Sequence, residues 1–184
     1  MVKDIVRIVM ALRFFWKIYF LRIIGCRHIK TKRISLACKY STIECDRNSI
    51  LTIGSKACLS QGTLLAVRKC ARIHIGDNVF INRNCIIVSH NSIIIKNGVT
   101  IGPNCCIYDH DHDLRHRGEF VTAPITIGEN VWLGANVLIM KGVSIGDNSV
   151  IGAGCVITHD IPSKTTVIQK RIDSYYEVPC IAKN

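Results

Sequence analysis

The chain has 184 residues, of which 48% are hydrophobic and 20% charged, so it is long and apolar enough to fold as one domain around a continuous core. Its net charge of +11 is uneven, because residues 1–34 carry nine Lys and Arg against one Asp (+8), which leaves +3 for the remainder. A nucleic-acid-binding protein usually spreads basic residues over its main body or carries a known motif. Neither is present in this sequence, and we expect no nucleic-acid partner.

Residues 2–24 have the pattern of an amphipathic α-helix with a basic polar face. Its apolar side contains Ile5, Ile8, Val9, Leu12, Phe15, Trp16, Tyr19 and Ile23, and its polar side Lys3, Arg7, Arg13, Lys17 and Arg22. Such a helix either lies peripherally in an anionic membrane interface or packs on the rest of the protein, and the pattern suits both. A transmembrane span is not predicted, because no stretch of ~20 residues is free of charge.

A six-residue repeat follows. Aliphatic residues recur every six positions in three runs, with weaker anchors at Ile53 and Leu59. The runs are Ile75, Ile81 and Ile87; Ile95, Ile101 and Ile107; and Ile127, Leu133, Ile139, Ile145, Ile151 and Ile157. A period of six fits neither an α-helix nor a half-buried strand, but it suits a β-helix in which each hexad forms one short strand and a turn. The fold class predicted is an all-β solenoid, a parallel β-helix of hexapeptide repeats.

The repeat is interrupted twice. The step from Ile87 to Ile95 is eight residues, which predicts that two residues near positions 89–91 bulge out of the wall. The larger break is a polar loop, residues 108–124, which contains Gly118 and Pro124. We therefore divide the chain into a basic helix and lead-in (1–34), a solenoid domain carrying one extruded loop (35–163) and a C-terminal tail (164–184).

The ten cysteines show neither a CxxC pair nor zinc-ribbon spacing. Cys85, Cys105 and Cys155 each follow an anchor by four residues, a slot that elsewhere holds Val or Ser. We predict that these three side chains point inward as small hydrophobic groups. No secretory signal is evident either, which favours a reducing, cytoplasmic location, with a position on the cytoplasmic face of the membrane as the alternative.

The loop is the predicted carrier of chemistry, because the packed interior of a β-helix leaves no room for a ligand. It places three histidines, His110, His112 and His116, among carboxylates within seven residues. This combination indicates either a general base oriented by a carboxylate or a metal site. If the segment is extended, His110 and His112 point to the same side. Flat solenoid walls also favour cyclic homo-oligomers.

Three segments resemble the hexapeptide-repeat acyltransferases, the left-handed β-helix enzymes that use acetyl-CoA: residues 125–137 (ITIGENVWLGANV), 142–146 (GVSIG) and 151–162 (IGAGCVITHDIP). The resemblance covers roughly residues 53–163 and is strongest to the sugar O-acetyltransferases, which include the maltose, galactoside and capsular or exopolysaccharide enzymes. It implies a left-handed solenoid, a homotrimer with sites at the subunit interfaces, and acetyl transfer from acetyl-CoA to a sugar hydroxyl without a covalent enzyme intermediate. It implies no metal.

The resemblance also implies roles for individual residues. The catalytic base falls on His112, followed by Asp113, with His110 as the rival position. The acceptor-binding residues are Asn82 and Trp132. The acetyl-CoA contacts are Gly134, Ala135 (whose N–H is the oxyanion donor), Ala153, Thr158, His159 and Lys164. The chain departs from the family after Pro162, and His159 stands where the family usually has Lys, so the residues that hold the CoA phosphates stay open among Lys164, Lys170 and Arg171.

Other functions fit parts of the pattern. An amino-sugar N-acetyltransferase or a serine acetyltransferase needs a similar base. A zinc-dependent hydratase resembling the γ-class carbonic anhydrases shares the solenoid and uses three histidines on zinc across a subunit interface, for which His90, His110, His112 and His116 are candidates. A non-catalytic scaffold gives no reason for a histidine-bearing loop.

Overall fold

The computed structural model describes residues 41–170, two strand segments at 29–31 and 36–37, and the single residues 9, 12 and 16. Val9, Leu12 and Trp16 are helical and exposed. The rest of the helix predicted over residues 2–24, and the tail from residue 171, lie outside the described residues. Within the described part of the chain, no helix has the length and hydropathy needed to cross a bilayer.

The strands form three parallel sheets that run along the solenoid, with one strand of each sheet in every complete coil. Sheet A contains β1 (Ile29–Thr31), β4 (Ile50–Ile53), β7 (Arg72–Ile75), β10 (Ser92–Ile95), β15 (Ile125–Ile127) and β18 (Ser144–Ile145). Sheet B contains β2 (Leu36–Ala37), β5 (Cys58–Leu59), β8 (Phe80–Ile81), β11 (Thr100–Ile101), β16 (Trp132–Leu133), β19 (Val150–Ile151) and β21 (Thr166–Val167). Sheet C contains β3 (Thr42–Cys45), β6 (Leu64–Val67), β9 (Ile86–Ser89), β12 (Cys106–Tyr108), β17 (Leu138–Ile139) and β20 (Val156–Ile157). The predicted parallel β-solenoid is confirmed.

The core consists of the predicted aliphatic anchors, stacked from coil to coil. In sheet A, for example, Ile75 pairs with Ile95 and Ile95 with Ile127. Every anchor of the three runs is buried, with at most 3% of its surface exposed. Cys85, Cys105 and Cys155 are also buried, which confirms that they are core residues. The equivalent position in other coils holds Val79 and Val137, which are buried as well, so the three cysteines fill this position as small hydrophobic groups.

The coils turn through short corners whose second residue has a left-handed conformation. Asn136 (φ 57°) and Gly98 (φ 71°) are examples, and Asn and Gly are the residues that adopt this conformation at least cost. A glycine is needed for a different reason at position 134, where an added Cβ would lie 2.7 Å from the Ala153 nitrogen. Gly134 therefore lets neighbouring coils approach, whatever else it contacts.

Extra residues collect at one corner, where the chain leaves sheet C and enters sheet A; we name it the C–A corner, and the other two the A–B and B–C corners. Consecutive anchors across the C–A corner are eight residues apart at Ile87 and Ile95 and 20 apart at Ile107 and Ile127, but six apart at Ile139 and Ile145. The first of these insertions differs from our prediction. Ser89 is fully buried and β9 and β10 have four residues each, so the extra residues lengthen the strands, and only positions 90 and 91 form a bend.

Gln169 closes the edge of β20 at the end of sheet C. Its side-chain Oε1 accepts the Val156 N–H (2.8 Å) and its Nε2 donates to the Val156 carbonyl (2.7 Å). The amide thus makes the two hydrogen bonds that the backbone of a further strand would make, and it satisfies an edge that would otherwise be open for pairing.

We expect Gln169→Ala to lower the free energy of unfolding by about 1 kcal/mol, because two exposed hydrogen bonds are lost and each has a modest net value. Thermal midpoints measured at equal protein concentration would show the loss. Lys170→Ala, a change at the neighbouring exposed position, is the control and should leave the midpoint unchanged. Equal midpoints for Gln169→Ala and wild type would contradict the capping role.

Candidate functional site

A β-hairpin leaves the solenoid at the C–A corner, directly after β12. Its strands, β13 (His110–His112) and β14 (Phe120–Thr122), are antiparallel, and His112 pairs with Phe120. The base of the hairpin is closed by the Ala123 N–H, which donates to the Asp109 carbonyl (2.9 Å). The next coil supports it through an ion pair between Lys141 and Asp111. The hairpin is therefore tied to the rigid solenoid on both sides.

Asp109 is fully buried at the base of this hairpin, with 0% of its surface exposed. Its Oδ1 accepts the His90 N–H (2.8 Å), and its Oδ2 accepts the Ser89 hydroxyl (2.6 Å) and the Asn91 N–H (2.9 Å). A buried carboxylate requires such partners, because desolvation of an unpaired charge is costly. Sequence reasoning gave Asp109 no role of its own, although a signal existed: it follows the anchor Ile107 by two residues, an inward-pointing position.

His110 lies against this carboxylate. Its Nδ1 is 3.3 Å from Asp109 Oδ1, and only 14% of its side chain is exposed. With the proton on Nδ1 and donated to the carboxylate, the neutral imidazole presents Nε2 as a hydrogen-bond acceptor. The arrangement supplies what a general base needs, namely an oriented ring with an unprotonated nitrogen.

Aromatic rings enclose His110. The centroid of its ring is 4.1 Å from that of His90, 5.2 Å from Phe120 and 5.8 Å from Tyr108. The pKa of His90 is lowered, first by burial and then by the neighbouring His110, which favours the neutral form of the His90 ring. Sequence reasoning named His90 only as a candidate zinc ligand and did not name Phe120, because His90 comes from a different coil and Phe120 from the returning strand of the hairpin.

His112 and Asp113 occupy a more open position. His112 is exposed, and the centroid of its ring is 4.9 Å from that of Phe120. His110 and His112 therefore both lie against the Phe120 ring, in agreement with the prediction that they point to the same side. Asp113 bonds elsewhere, because its carboxylate accepts the Arg115 N–H (2.8 Å) and lies 2.9 Å from His116 Nδ1. Both contacts lower the pKa of Asp113, and the contact with His116 has the larger effect. Asp113 thus shapes the hairpin tip, where it contacts His116, and Asp109 is the carboxylate that contacts His110.

At the hairpin tip, three side chains of the types that bind metal ions lie close together. Ligand atoms of Asp113, His116 and Glu119 lie within 4.8 Å of one another, in an exposed setting. Among the described residues, His90, His110 and His112 do not form a comparable group of three. The three-histidine centre of the hydratase alternative is therefore not assembled within the described part of a single chain.

The remaining predicted residues are distributed over all three corners. Asn82, Gly134, Ala135 and Ala153 lie in stacked turns of the B–C corner, Thr158 and His159 lie at the C–A corner, and Lys164 lies at the A–B corner. Trp132 projects from sheet B with 57% of its surface exposed, in register with Thr100 and Val150. Asn82 and Ala135 lie where the chain enters the strands of sheet C, and the histidines lie where it leaves them. One chain therefore does not bring Asn82 and Ala135 together with the histidines.

The backbone N–H of Ala135 differs from its two neighbours in its hydrogen bonding. On either side of it, Gly134 N–H donates to the Ile151 carbonyl (2.8 Å) and Asn136 N–H to the Pro103 carbonyl (2.9 Å). Among the described residues none accepts the Ala135 N–H. An unpaired amide at a tight turn is a suitable donor for a developing negative charge.

Comparisons with known proteins agree with this architecture. The family model "Hexapeptide repeat of succinyl-transferase" matches residues 124–159. Galactoside O-acetyltransferase from Escherichia coli is 48% identical over 96 residues, which are 50% of this chain and 47% of that protein. The chain spans about half the length of the curated relatives it matches.

Two solved structures of a hexapeptide-repeat-containing acetyltransferase from Vibrio cholerae are also similar. One is 30% identical, with a TM-score of 0.56, and the match covers 80% of this chain and 72% of that one. The other, solved in complex with acetyl-coenzyme A, is 35% identical, with a TM-score of 0.57 and coverage of 65% and 64%. The class of protein is thus a hexapeptide-repeat solenoid. Within that class, this chain belongs to the hexapeptide-repeat acetyltransferases.

Proposed function

We propose that this protein is an acetyl-CoA-dependent O-acetyltransferase that acetylates a hydroxyl of a sugar or polysaccharide precursor. The observation that carries the proposal is His110, a half-enclosed imidazole oriented by a buried carboxylate, on a hairpin of an acetyltransferase solenoid. The acetyl-CoA complex of the Vibrio cholerae protein and the galactoside acetyltransferase relative support the donor and the acceptor class.

In this proposal His110, rather than His112, is the base, because His110 alone of the two contacts a carboxylate. His110 Nε2 accepts the proton of the acceptor hydroxyl while the oxygen attacks the thioester carbonyl. The resulting oxyanion accepts a hydrogen bond from a backbone N–H, for which Ala135 is the proposed donor. When the tetrahedral intermediate collapses, the C–S bond breaks and the imidazolium returns its proton to the departing thiolate, giving CoA and the acetyl ester.

The active unit is proposed to be a cyclic homotrimer. His110 and Ala135 lie at different corners of one chain, so a functional site needs His110 from one subunit and Ala135 and Asn82 from its neighbour. A closed cyclic arrangement makes three equivalent sites of this kind. Trp132, which is exposed on sheet B, would then line the acceptor site between subunits.

The proposed acetyl-CoA contacts lie at all three corners of the solenoid. Gly134 and Ala153 leave a low wall at the B–C corner on which the pantetheine arm can lie. Thr158 and His159, whose Oγ1 and Nδ1 atoms are 2.9 Å apart, are further proposed contacts at the C–A corner. Lys164 is a proposed partner for the CoA phosphates. A cytoplasmic location and peripheral membrane contact through residues 2–24 stay predictions of the sequence.

The test is release of CoA thiol from acetyl-CoA, followed with a panel of neutral monosaccharides, oligosaccharides, lipid-linked saccharides and amino sugars. We expect release that depends on a hydroxyl-bearing saccharide, together with a product that gains one acetyl ester by mass spectrometry. Release only with amino sugars, and an amide product, would replace O-acetylation by N-acetylation. No release with any acceptor from a correctly folded protein would contradict the transferase proposal.

A further inference from the structure

The N-terminal segment presents apolar side chains that the described solenoid does not cover. Its three described residues, Val9, Leu12 and Trp16, are helical. Their spacing of three and four residues places them on one side of a helix. They are 46%, 56% and 70% exposed, respectively. A stripe of exposed apolar side chains of this kind indicates a surface that meets a partner.

The other side of the same segment is basic. Asp4 is the only acidic residue among positions 1–34, and the sequence pattern places five basic residues opposite the apolar side: Lys3, Arg7, Arg13, Lys17 and Arg22. Apolar and aromatic residues opposite a row of Lys and Arg are typical of a helix that lies in the interface of an anionic bilayer. The frequent charges favour a helix that lies on the bilayer over one that spans it.

A second copy of this chain is the competing partner for the apolar stripe. Residues 35–184 have a net charge of +3, so another subunit offers no excess of negative charge to the basic side. The exposed large apolar side chains of sheets A, B and C are also dispersed, with Ile50 on sheet A, Phe80 and Trp132 on sheet B, and Val156 on sheet C. An anionic bilayer suits both sides of the segment, because its acyl region accepts the stripe and its headgroups attract the basic residues.

The place where this segment joins the solenoid sets its distance from the candidate site. The first described strand after it, β1, is the first strand of sheet A, and β10, which follows the bend beneath the hairpin, is the fourth. Three strand spacings of ~4.8 Å put the coil of the site roughly 15 Å along the solenoid from β1. A saccharide of a few units can span this distance while a lipid at its end stays in the bilayer.

We propose that residues 2–24 bind the surface of an anionic lipid bilayer, and that the acceptor is a lipid-linked saccharide presented at that surface. The membrane contact stands on the charge and exposure of the segment. The identity of the acceptor rests, in addition, on the proposed function.

Membrane binding is tested with the whole 184-residue chain and vesicles of phosphatidylcholine, with and without about 30% phosphatidylglycerol. The chain has two tryptophans, so in Trp132→Phe the emission comes from Trp16 alone. We expect co-sedimentation with the anionic vesicles and a blue shift of the Trp16 emission, with little of either on the neutral vesicles. Added salt should weaken both effects, because it screens the attraction between exposed charges.

Three variants separate the contributions to binding. Lys17→Gln removes one charge from the basic side and should weaken binding to anionic vesicles about fivefold. Leu12→Glu puts a charge into the apolar stripe and should weaken binding roughly 10²-fold. Lys170→Gln is the matched control, because it removes the same charge from an exposed position outside the segment, and it should bind within about twofold of wild type.

Three results would overturn the membrane contact. The first is no binding of the folded wild-type chain to anionic vesicles. The second is equal binding of wild type and Leu12→Glu. The third is a Trp16 emission that is already blue-shifted without vesicles and shifts to the red on dilution, which would show that a second copy covers the stripe.

The acceptor is tested with one saccharide in two forms, free in solution and attached to a lipid in the anionic vesicles. We expect the wild-type KM for the lipid-linked form to be at least about tenfold lower, because both partners are confined to one surface. Leu12→Glu should lose this difference, while its kcat for the free saccharide stays within about threefold of wild type.

Equal KM values for the two forms in wild type would overturn the lipid-linked acceptor and leave the transferase proposal intact. No CoA release with any acceptor would contradict the transferase proposal and the lipid-linked acceptor together, while the vesicle measurements still decide whether the segment binds the bilayer.

Discussion

Replacing His110 by alanine is expected to lower kcat for acceptor-dependent CoA release by roughly 10²–10⁴-fold, the usual contribution of a general base. The physical reason is the loss of the imidazole whose Nδ1 lies against the buried carboxylate of Asp109, which leaves Nε2 as the nitrogen that can accept a proton. Steady-state kinetics at saturating acetyl-CoA and saccharide would measure the effect, and KM for acetyl-CoA should change little because the base does not bind the donor.

The matched control is His112→Ala, which removes a second imidazole from the same hairpin. The His112 ring is exposed and its ring contact is Phe120, so we expect kcat to stay within about tenfold of wild type. The reverse order, with His112→Ala the more damaging change in two equally folded variants, would restore the assignment that the family resemblance makes and would reject the one based on geometry.

Replacing Ala135 by proline is expected to lower kcat roughly 10²–10³-fold, because it removes the N–H proposed to stabilise the oxyanion. The fold should tolerate this change for a specific reason. The equivalent turn of the preceding coil already contains a proline, Pro103, between Gly102 and Asn104. The Ala135 N–H also donates to no described residue, so no structural hydrogen bond is lost. Steady-state kinetics, with thermal midpoints to verify folding, would measure the effect.

Ala135→Ser keeps the backbone N–H and is the matched control; its kcat should remain near wild type.

Co-expression then tests whether His110 and Ala135 act across a subunit interface. A 1:1 mixture of His110→Ala and Ala135→Pro chains in a cyclic trimer should recover about a quarter of wild-type activity, because about a quarter of the interfaces join two intact residues. No recovery in verified mixed trimers would show that each chain needs both residues, and an Ala135→Pro variant with full activity would exclude the N–H as the oxyanion donor.

The sequence predicts which loop carries the histidines of the site but does not distinguish between His110 and His112. The clustering of His110, His112 and His116 on an insertion predicts that the hairpin carries the site, because an interruption in a strict repeat is visible in the sequence. Choosing between His110 and His112 requires the position of a carboxylate. Asp113 follows His112 in the chain, but its carboxylate contacts Arg115 and the ring of His116. Of the two rival histidines it is His110 that contacts a carboxylate, that of Asp109.

The sequence by itself determined the solenoid, its buried anchors and the inward cysteines, since a period of six reflects local geometry repeated along the chain. Cys85 and Ile127, for example, are both buried as their phase predicts. The tertiary structure alone decided which segments meet. It joined the bend at residues 89–91 to Asp109, folded Phe120 back onto His112, and placed Ala135 and His110 at different corners. The first and third relations depend on stacking between coils about 20 residues apart, and the second on pairing within the hairpin. A linear pattern records the period of the stacking but not the contacts at the corners.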